Sequence, residues 1–170
     1  MEKKVPIKNY VILVVIVLLT VAVVFYIRDW YNTTKEYYAQ NSVITQVVRE
    51  IKSEEISNYT LENQKFVLYV ASGRNTELKN FENDLKSLIQ KMDLGENTLY
   101  MNLDGVGSNT FYDLLHNKFA ANSKIKDQIT TDSAASMYVF TDGKITTVLN
   151  NVNDYSIKRL ESIINRWGIK

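Results

Sequence analysis

The feature that most constrains this chain lies near its start: between Lys8 and Arg28 no residue is charged. Tyr10–Ile27 (YVILVVIVLLTVAVVFYI) would extend about 27 Å as a helix, close to the roughly 30 Å hydrocarbon core of a bilayer. Tyr10 on one flank and Tyr26, Trp30 and Tyr31 on the other fall where interfacial aromatic belts sit. Lys3, Lys4 and Lys8 precede the run, whereas after it Arg28 stands beside Asp29 and Lys35 beside Glu36. The lysine-rich flank is therefore expected in the cytoplasm and the C-terminal part outside. A cleaved signal peptide is the competing reading, but the run is long and no small-x-small pattern follows it, which favours an uncleaved anchor. The organisation expected is a cytoplasmic N-terminus at 1–9, a transmembrane helix at 10–27 in contact with lipid, a juxtamembrane stalk at 28–42 and one extracytoplasmic domain at 43–170.

Composition narrows the chemistry of that domain. Twenty Lys and Arg against 19 Asp and Glu leave a net charge of +1, so no global field draws the chain to nucleic acid. With no cysteine there is no disulfide framework, thiolate nucleophile or zinc–thiolate site. Asn32 and Asn58 sit in N-x-T sequons, which would matter only in a eukaryotic secretory host.

The outer domain alternates strand and helix signals. Val43–Glu50 is apolar and β-branched and reads as a strand, and Ser53 reads as the cap of a short helix over Glu54–Tyr59. Phe66–Ala71 (FVLYVA) is a near-continuous apolar run, the pattern of a central strand covered on both faces. After a Ser-Gly-Arg-Asn loop, Leu78, Phe81, Leu85, Leu88, Ile89 and Met92 mark one helical face, with Asn75 or Thr76 as N-cap. Thr98–Asp104 predicts a third strand ending in a Gly105/Gly107 loop, followed by a helix capped by Asn109 or Thr110 and carrying Phe111, Leu114, Leu115 and Phe119. Residues 121–135 lack periodicity and read as a long connection. Met137–Phe140, Asp142-Gly143 and Ile145–Leu149 form a hairpin signal, because Asp-Gly supplies the positive φ angles of a two-residue turn. Asn153 or Asp154 then caps a helix carrying Ile157, Leu160, Ile163, Ile164 and Trp167. The string β-α-β-α-β-α-β-β-α predicts an α/β domain with a mixed central sheet, a C-terminal hairpin and a closing helix.

This order resembles the thioredoxin-like superfamily, and LYVASGRNTELKNFENDLKSL is most similar to bacterial thioredoxin-like proteins associated with bacteriocin transport or maturation. The resemblance covers about Val43–Trp167 by topology and two short windows by motif. With Phe81-Glu82 set on the family's Phe-Glu pair, the two positions of its Cys-x-x-Cys fall on Asn75 and Leu78. With Phe140-Thr141-Asp142-Gly143 set on its Phe-x-x-Gly hairpin, the cis-proline position falls on Ala135, and the only proline in the chain is Pro6. A cis bond before a residue other than proline costs about 3–4 kcal/mol, so a trans peptide and a reshaped groove are expected there. The family's redox activity therefore does not carry over.

No other catalytic set stands out. His116, the only histidine, lies near Asp113 without a serine partner and reads as a satisfied or surface residue. Glu54-Glu55 and Glu82-x-Asp84 read as solvated helix faces, and no metal or cofactor is implied. Gly73 reads as a turn glycine with positive φ, and Tyr69, Tyr100, Tyr112 and Tyr138 as core or, less often, a peptide-binding surface. The leading expectation is a redox-inactive, anchored module that binds a protein or peptide through the contact loop Gly73, Arg74, Asn75, Thr76 and Glu77. The resemblance implies a role in bacteriocin or secreted-peptide export. The alternatives are a subunit of an envelope or secretion complex, an immunity protein, and an enzyme with a site rebuilt around Asn75, Glu77 and His116.

Overall fold

The computed structural model describes residues 7–40, 42–104 and 106–169. Lys3, Lys4, Pro6 and Gly105 lie outside these, as do the side chains of Asn32, Lys35 and Glu36. The chain divides between Ala39 and Gln40 into two compact units. The first holds one helix, α1 (Ile7–Gln40), of which Lys8–Tyr31 is long and apolar enough to cross a membrane. The helix extends to Gln40, into the segment read as a stalk.

The second unit is built on a five-stranded sheet of order β1-β3-β2-β4-β5, formed by β1 (Arg49–Glu50), β2 (Lys65–Ala71), β3 (Thr98–Asn102), β4 (Ala135–Thr141) and β5 (Lys144–Asn150). β1 and β2 both pair with β3 in parallel, while β4 is antiparallel to β2 and to β5. Helices supply the crossovers: α2 (Ser53–Glu62), α3 (Lys79–Lys91), α4 (Ser108–Leu114), α5 (Ser123–Gln128) and the closing α6 (Ile157–Trp167).

The apolar run of β2 divides by parity, since successive side chains of a strand point to opposite faces. Val67, Tyr69 and Ala71 join Leu85, Leu88 and Ile89 of α3 and Leu160 and Ile164 of α6 in one core. Phe66, Leu68 and Val70 join Ile56 of α2, Phe111 of α4 and Ile125 of α5 in the other. At the hairpin, Asp142 (φ 49°) and Gly143 (φ 75°) are both left-handed, as the two-residue turn requires. At the C-terminus of α6 the Lys65 ammonium donates to the Trp167 carbonyl, where the helix dipole favours a cation.

Several sequence-based expectations are corrected. Val43–Glu50 is not a continuous strand: Val43–Gln46 is a 3-10 turn capped by the Ser42 hydroxyl, and only Arg49 and Glu50 pair with β3. Ile44 and Val48, four residues apart, are both buried, so helical spacing overrides the β-branched composition. Lys52 rather than Ser53 is the N-cap of α2, and the Glu55 carboxylate accepts its backbone N–H at 3.0 Å. β3 ends at Asn102, whose Oδ1 accepts the Asp104 N–H at 2.9 Å and bends the chain out of the sheet. Gly107, not Asn109 or Thr110, precedes α4, which continues into a π turn over Leu115–Phe119 closed by Ala120 N–H to the Leu115 carbonyl at 2.9 Å. The connection 121–135 contains α5, capped by Asn122 Oδ1 on the Ile125 N–H at 3.0 Å. Before β4 begins, Ile125 and Ile129 are the only buried apolar residues there, too few to create a period. Ser156 caps α6, and Asn153 and Asp154 belong to a preceding 3-10 turn.

Candidate functional site

Ala71, the last residue of β2, lies opposite Asn102 of β3 in the parallel register and opposite Ala135 of β4 in the antiparallel one. Three strand ends thus meet beneath the loop that leads to α3, the kind of position where a rigid scaffold presents a loop for function. The loop is tightly held. Asp104 accepts the Ser72 hydroxyl at 2.6 Å on one carboxylate oxygen and the Arg74 N–H at 2.9 Å on the other. Asn102 Oδ1 accepts the Gly73 N–H at 3.1 Å as well as that of Asp104. Below, the Ala71 carbonyl accepts the Tyr100 hydroxyl at 3.2 Å and the Leu103 N–H at 3.1 Å.

The positions set by the resemblance carry structural duties. Asn75 Oδ1 accepts the Glu77 N–H at 3.1 Å and caps the 3-10 turn Thr76–Leu78 that opens into α3. Leu78 is 2% exposed and belongs to the α3/α6 core, and Ala135 is fully buried at the start of β4. Among the described residues no peptide bond is cis, the one before Ala135 included. The Ser133 hydroxyl donates to the Ala135 carbonyl at 2.8 Å and accepts the Asn151 N–H at 2.7 Å, which ties this corner to the segment after β5. Of the contact loop, Arg74, Thr76 and Glu77 are exposed, Asn75 is half-buried and Gly73 is buried. Gly73 does not have positive φ; it is buried, and its N–H donates to Asn102 Oδ1.

Glu82 corrects the solvated-face reading. It is 2% exposed, and its two carboxylate oxygens accept the Tyr69 hydroxyl at 3.1 Å and the Val43 N–H at 3.0 Å. The spacing Leu78, Glu82, Leu85, Ile89 sets it inside the apolar stripe of α3, and that spacing was the available signal. It fastens the lead-in segment 42–46 to the core below the loop. Burial, reinforced by the Glu82 carboxylate, pushes the Tyr69 and Tyr100 phenols well above the ordinary value. Burial raises Tyr138 and Tyr112 too, so all four tyrosines are core residues and none forms a binding surface.

The residues proposed for a rebuilt enzyme site do not converge. His116 Nε2 lies 2.9 Å from the Ile129 carbonyl, in the π turn that packs with α4 on the second core, whereas Asn75 and Glu77 open α3 over the first. No group of three or more His, Asp or Glu is placed to hold a metal among the described residues.

The mixed sheet flanked by α3 and α6 on one face and α2, α4 and α5 on the other defines a thioredoxin-like α/β domain that follows an apolar helix in the chain. The sequence matches no protein-family model and no curated protein. The structure is similar to that of a protein described as having a thioredoxin fold, with a TM-score of 0.50 and 12% identity over 72% of this chain and 97% of that one. Mitochondrial thioredoxin 3 from Saccharomyces cerevisiae aligns with a TM-score of 0.47 and 15% identity over 74% of this chain and 99% of that one. Fasciola hepatica thioredoxin aligns with a TM-score of 0.47 and 12% identity over 70% of this chain and 98% of that one. At such identities the likeness concerns the fold alone. Because the chain has no cysteine, it has no thiol redox chemistry of its own.

Proposed function

We propose that this chain is a membrane-anchored, redox-inactive thioredoxin-like module that binds a polypeptide at the loop between β2 and α3. The observation that carries this reading is the fate of the loop: no thiol is present, yet four hydrogen bonds around Asn102 and Asp104 hold a rigid turn. That turn presents Arg74, Thr76 and Glu77 to solvent. A preorganised polar loop favours contact, because little conformational freedom is lost on binding. The helix Lys8–Tyr31 would tether the domain and raise its concentration near a membrane partner. The lysines before the helix favour an outward-facing domain. The finer assignment, an accessory of bacteriocin or secreted-peptide export, rests on the Phe81-Glu82 and Phe140–Gly143 windows.

The test is site-specific photocrosslinking in native membranes from Arg74 and Thr76, with Lys144, beside the hairpin turn at the far end of β4, as control. Recovery of one polypeptide from both loop positions and not from Lys144 supports the reading. Equal recovery from all three, or none from the loop, refutes it.

A further inference from the structure

Next to the loop, on the α2/α4 face of the sheet, two adjoining hollows of about 420 and 500 Å³ share Ser53, Glu54, Val106 and Thr110, forming one open groove between α2 and α4. Its floor is apolar, made by the half-buried Val106 and Leu114, which pack against the core that holds Phe111. Its rim is acidic, with Glu50 and Glu54 along one hollow and Asp113 along the other. These three carboxylates are exposed, and among the described residues none makes an ion pair. Asp104 adds a fourth negative charge at the loop end, its oxygens occupied by neutral donors. Among the described residues Lys52 is the one cation lining the groove, and the Lys118 ammonium, 2.6 Å from the Ser57 hydroxyl, stands at the other end. The chain as a whole is +1, so this excess of negative charge is local. The carboxylates are spread over β1, α2 and α4 without forming a metal-binding group, which suits an extended partner and not a single ion.

We infer that this groove takes a cationic amphipathic polypeptide segment, its apolar side chains on Val106 and Leu114 and its lysines or arginines on Glu50, Glu54 and Asp113. The inference deepens the peptide-binding reading and rests on it: Asp104 belongs to both the groove and the loop, so one partner can span them. Charge complementarity selects the partner and speeds encounter, while the apolar floor holds it once docked. Exposed carboxylates lose no hydrogen bonds when a lysine replaces water beside them, so the rim adds selectivity without a buried-charge penalty.

The experiment uses the full chain in phosphatidylcholine nanodiscs and a fluorescent amphipathic peptide of leucine and lysine, with a leucine–glutamate twin and empty nanodiscs as controls. The basic peptide should bind the protein above the empty-disc level and the acidic twin should not, with affinity falling as salt rises. Reversing two rim charges, Glu54→Lys with Asp113→Lys, should weaken binding about tenfold, and the neutral pair Glu54→Gln with Asp113→Asn by less. Both variants must keep the wild-type near-UV circular dichroism. Equal binding of the two peptides, no binding above empty discs, or affinity unchanged by the reversed charges overturns the inference, as does a dimer that the reversed charges dissociate, since the groove would then hold a second copy. If crosslinking from Arg74 and Thr76 succeeds while the reversed charges leave peptide binding unchanged, the groove assignment fails and the loop reading stands.

Discussion

Removing the Glu82 carboxylate tests whether this buried group fastens the lead-in segment to the core. In Glu82→Ala two donors lose their acceptor, the Tyr69 hydroxyl at 3.1 Å and the Val43 N–H at 3.0 Å. The buried Tyr69 hydroxyl left unsatisfied costs about 1–3 kcal/mol and the part-buried Val43 N–H, which water can reach, about 1 kcal/mol, so the pair amounts to about 3 kcal/mol, a large part of the 5–15 kcal/mol margin of a typical domain. Glu82→Gln keeps one acceptor but turns its amide N–H₂ toward a donor, and should cost about 2 kcal/mol. Tyr69→Phe removes the hydroxyl that loss of the carboxylate would leave stranded, so in the Glu82→Ala background it should cost less than in wild type, with a coupling of about 1–2 kcal/mol. Urea unfolding of the full chain in detergent, followed by near-UV circular dichroism, reads these differences, and amide exchange at Val43 and Ile44 should speed up in Glu82→Ala. A Glu82→Ala stability within about 0.5 kcal/mol of wild type, or additive effects of Glu82→Ala and Tyr69→Phe, would refute the reasoning.

Two further outcomes follow from the same contacts. Asp104→Ala deprives the Ser72 hydroxyl and the Arg74 N–H of their acceptor; because the site is half-buried and water can enter, it should cost about 1–2 kcal/mol, and hydrogen exchange should show faster exchange at Arg74 with little change in α6. Alkaline titration should unfold the chain: Tyr69, Tyr100 and Tyr138 all have phenols raised above the ordinary value of 10.0 by burial. The unfolded chain then releases protons that the folded chain retains. Stability is intact below pH 10 and falls above it, by up to about 4 kcal/mol per pH unit for the three phenols together, and near-ultraviolet phenolate absorbance should rise cooperatively with loss of structure. Titration of all tyrosines near pH 10 in a chain that stays folded would contradict their burial.

Elements with a strong period were legible from the residues. The β2 run, the α3 and α6 stripes and the Asp142-Gly143 turn each carry enough matched positions to identify their type. Short elements were not. Val43–Gln46 looks β-branched and is a 3-10 turn, and α5 has only one buried side chain, Ile125, with Ile129 just beyond it. The candidate site divides in the same way. The loop, and the positions Asn75, Leu78 and Ala135 that the resemblance picks out, can be placed from the sequence, but Asn102 and Asp104, which hold that loop, come from the end of a different strand about 30 residues on. The buried role of Glu82 was readable from its place in the α3 stripe, although its partner Val43 was not.

Residue types and their spacing were enough to establish that one helix is apolar enough to cross a bilayer, that no thiol chemistry is available, and that strands and helices alternate into a mixed sheet. Those properties depend on residue type and near-neighbour spacing, which the chain carries locally. It takes the folded chain to bring Ala71, Asn102 and Ala135 to one corner, to clamp the Ser72–Arg74 turn with Asp104, and to set Glu50, Glu54 and Asp113 around one groove. Each of these is a contact between residues far apart in the chain, set by strand register and helix packing, and no local pattern encodes it.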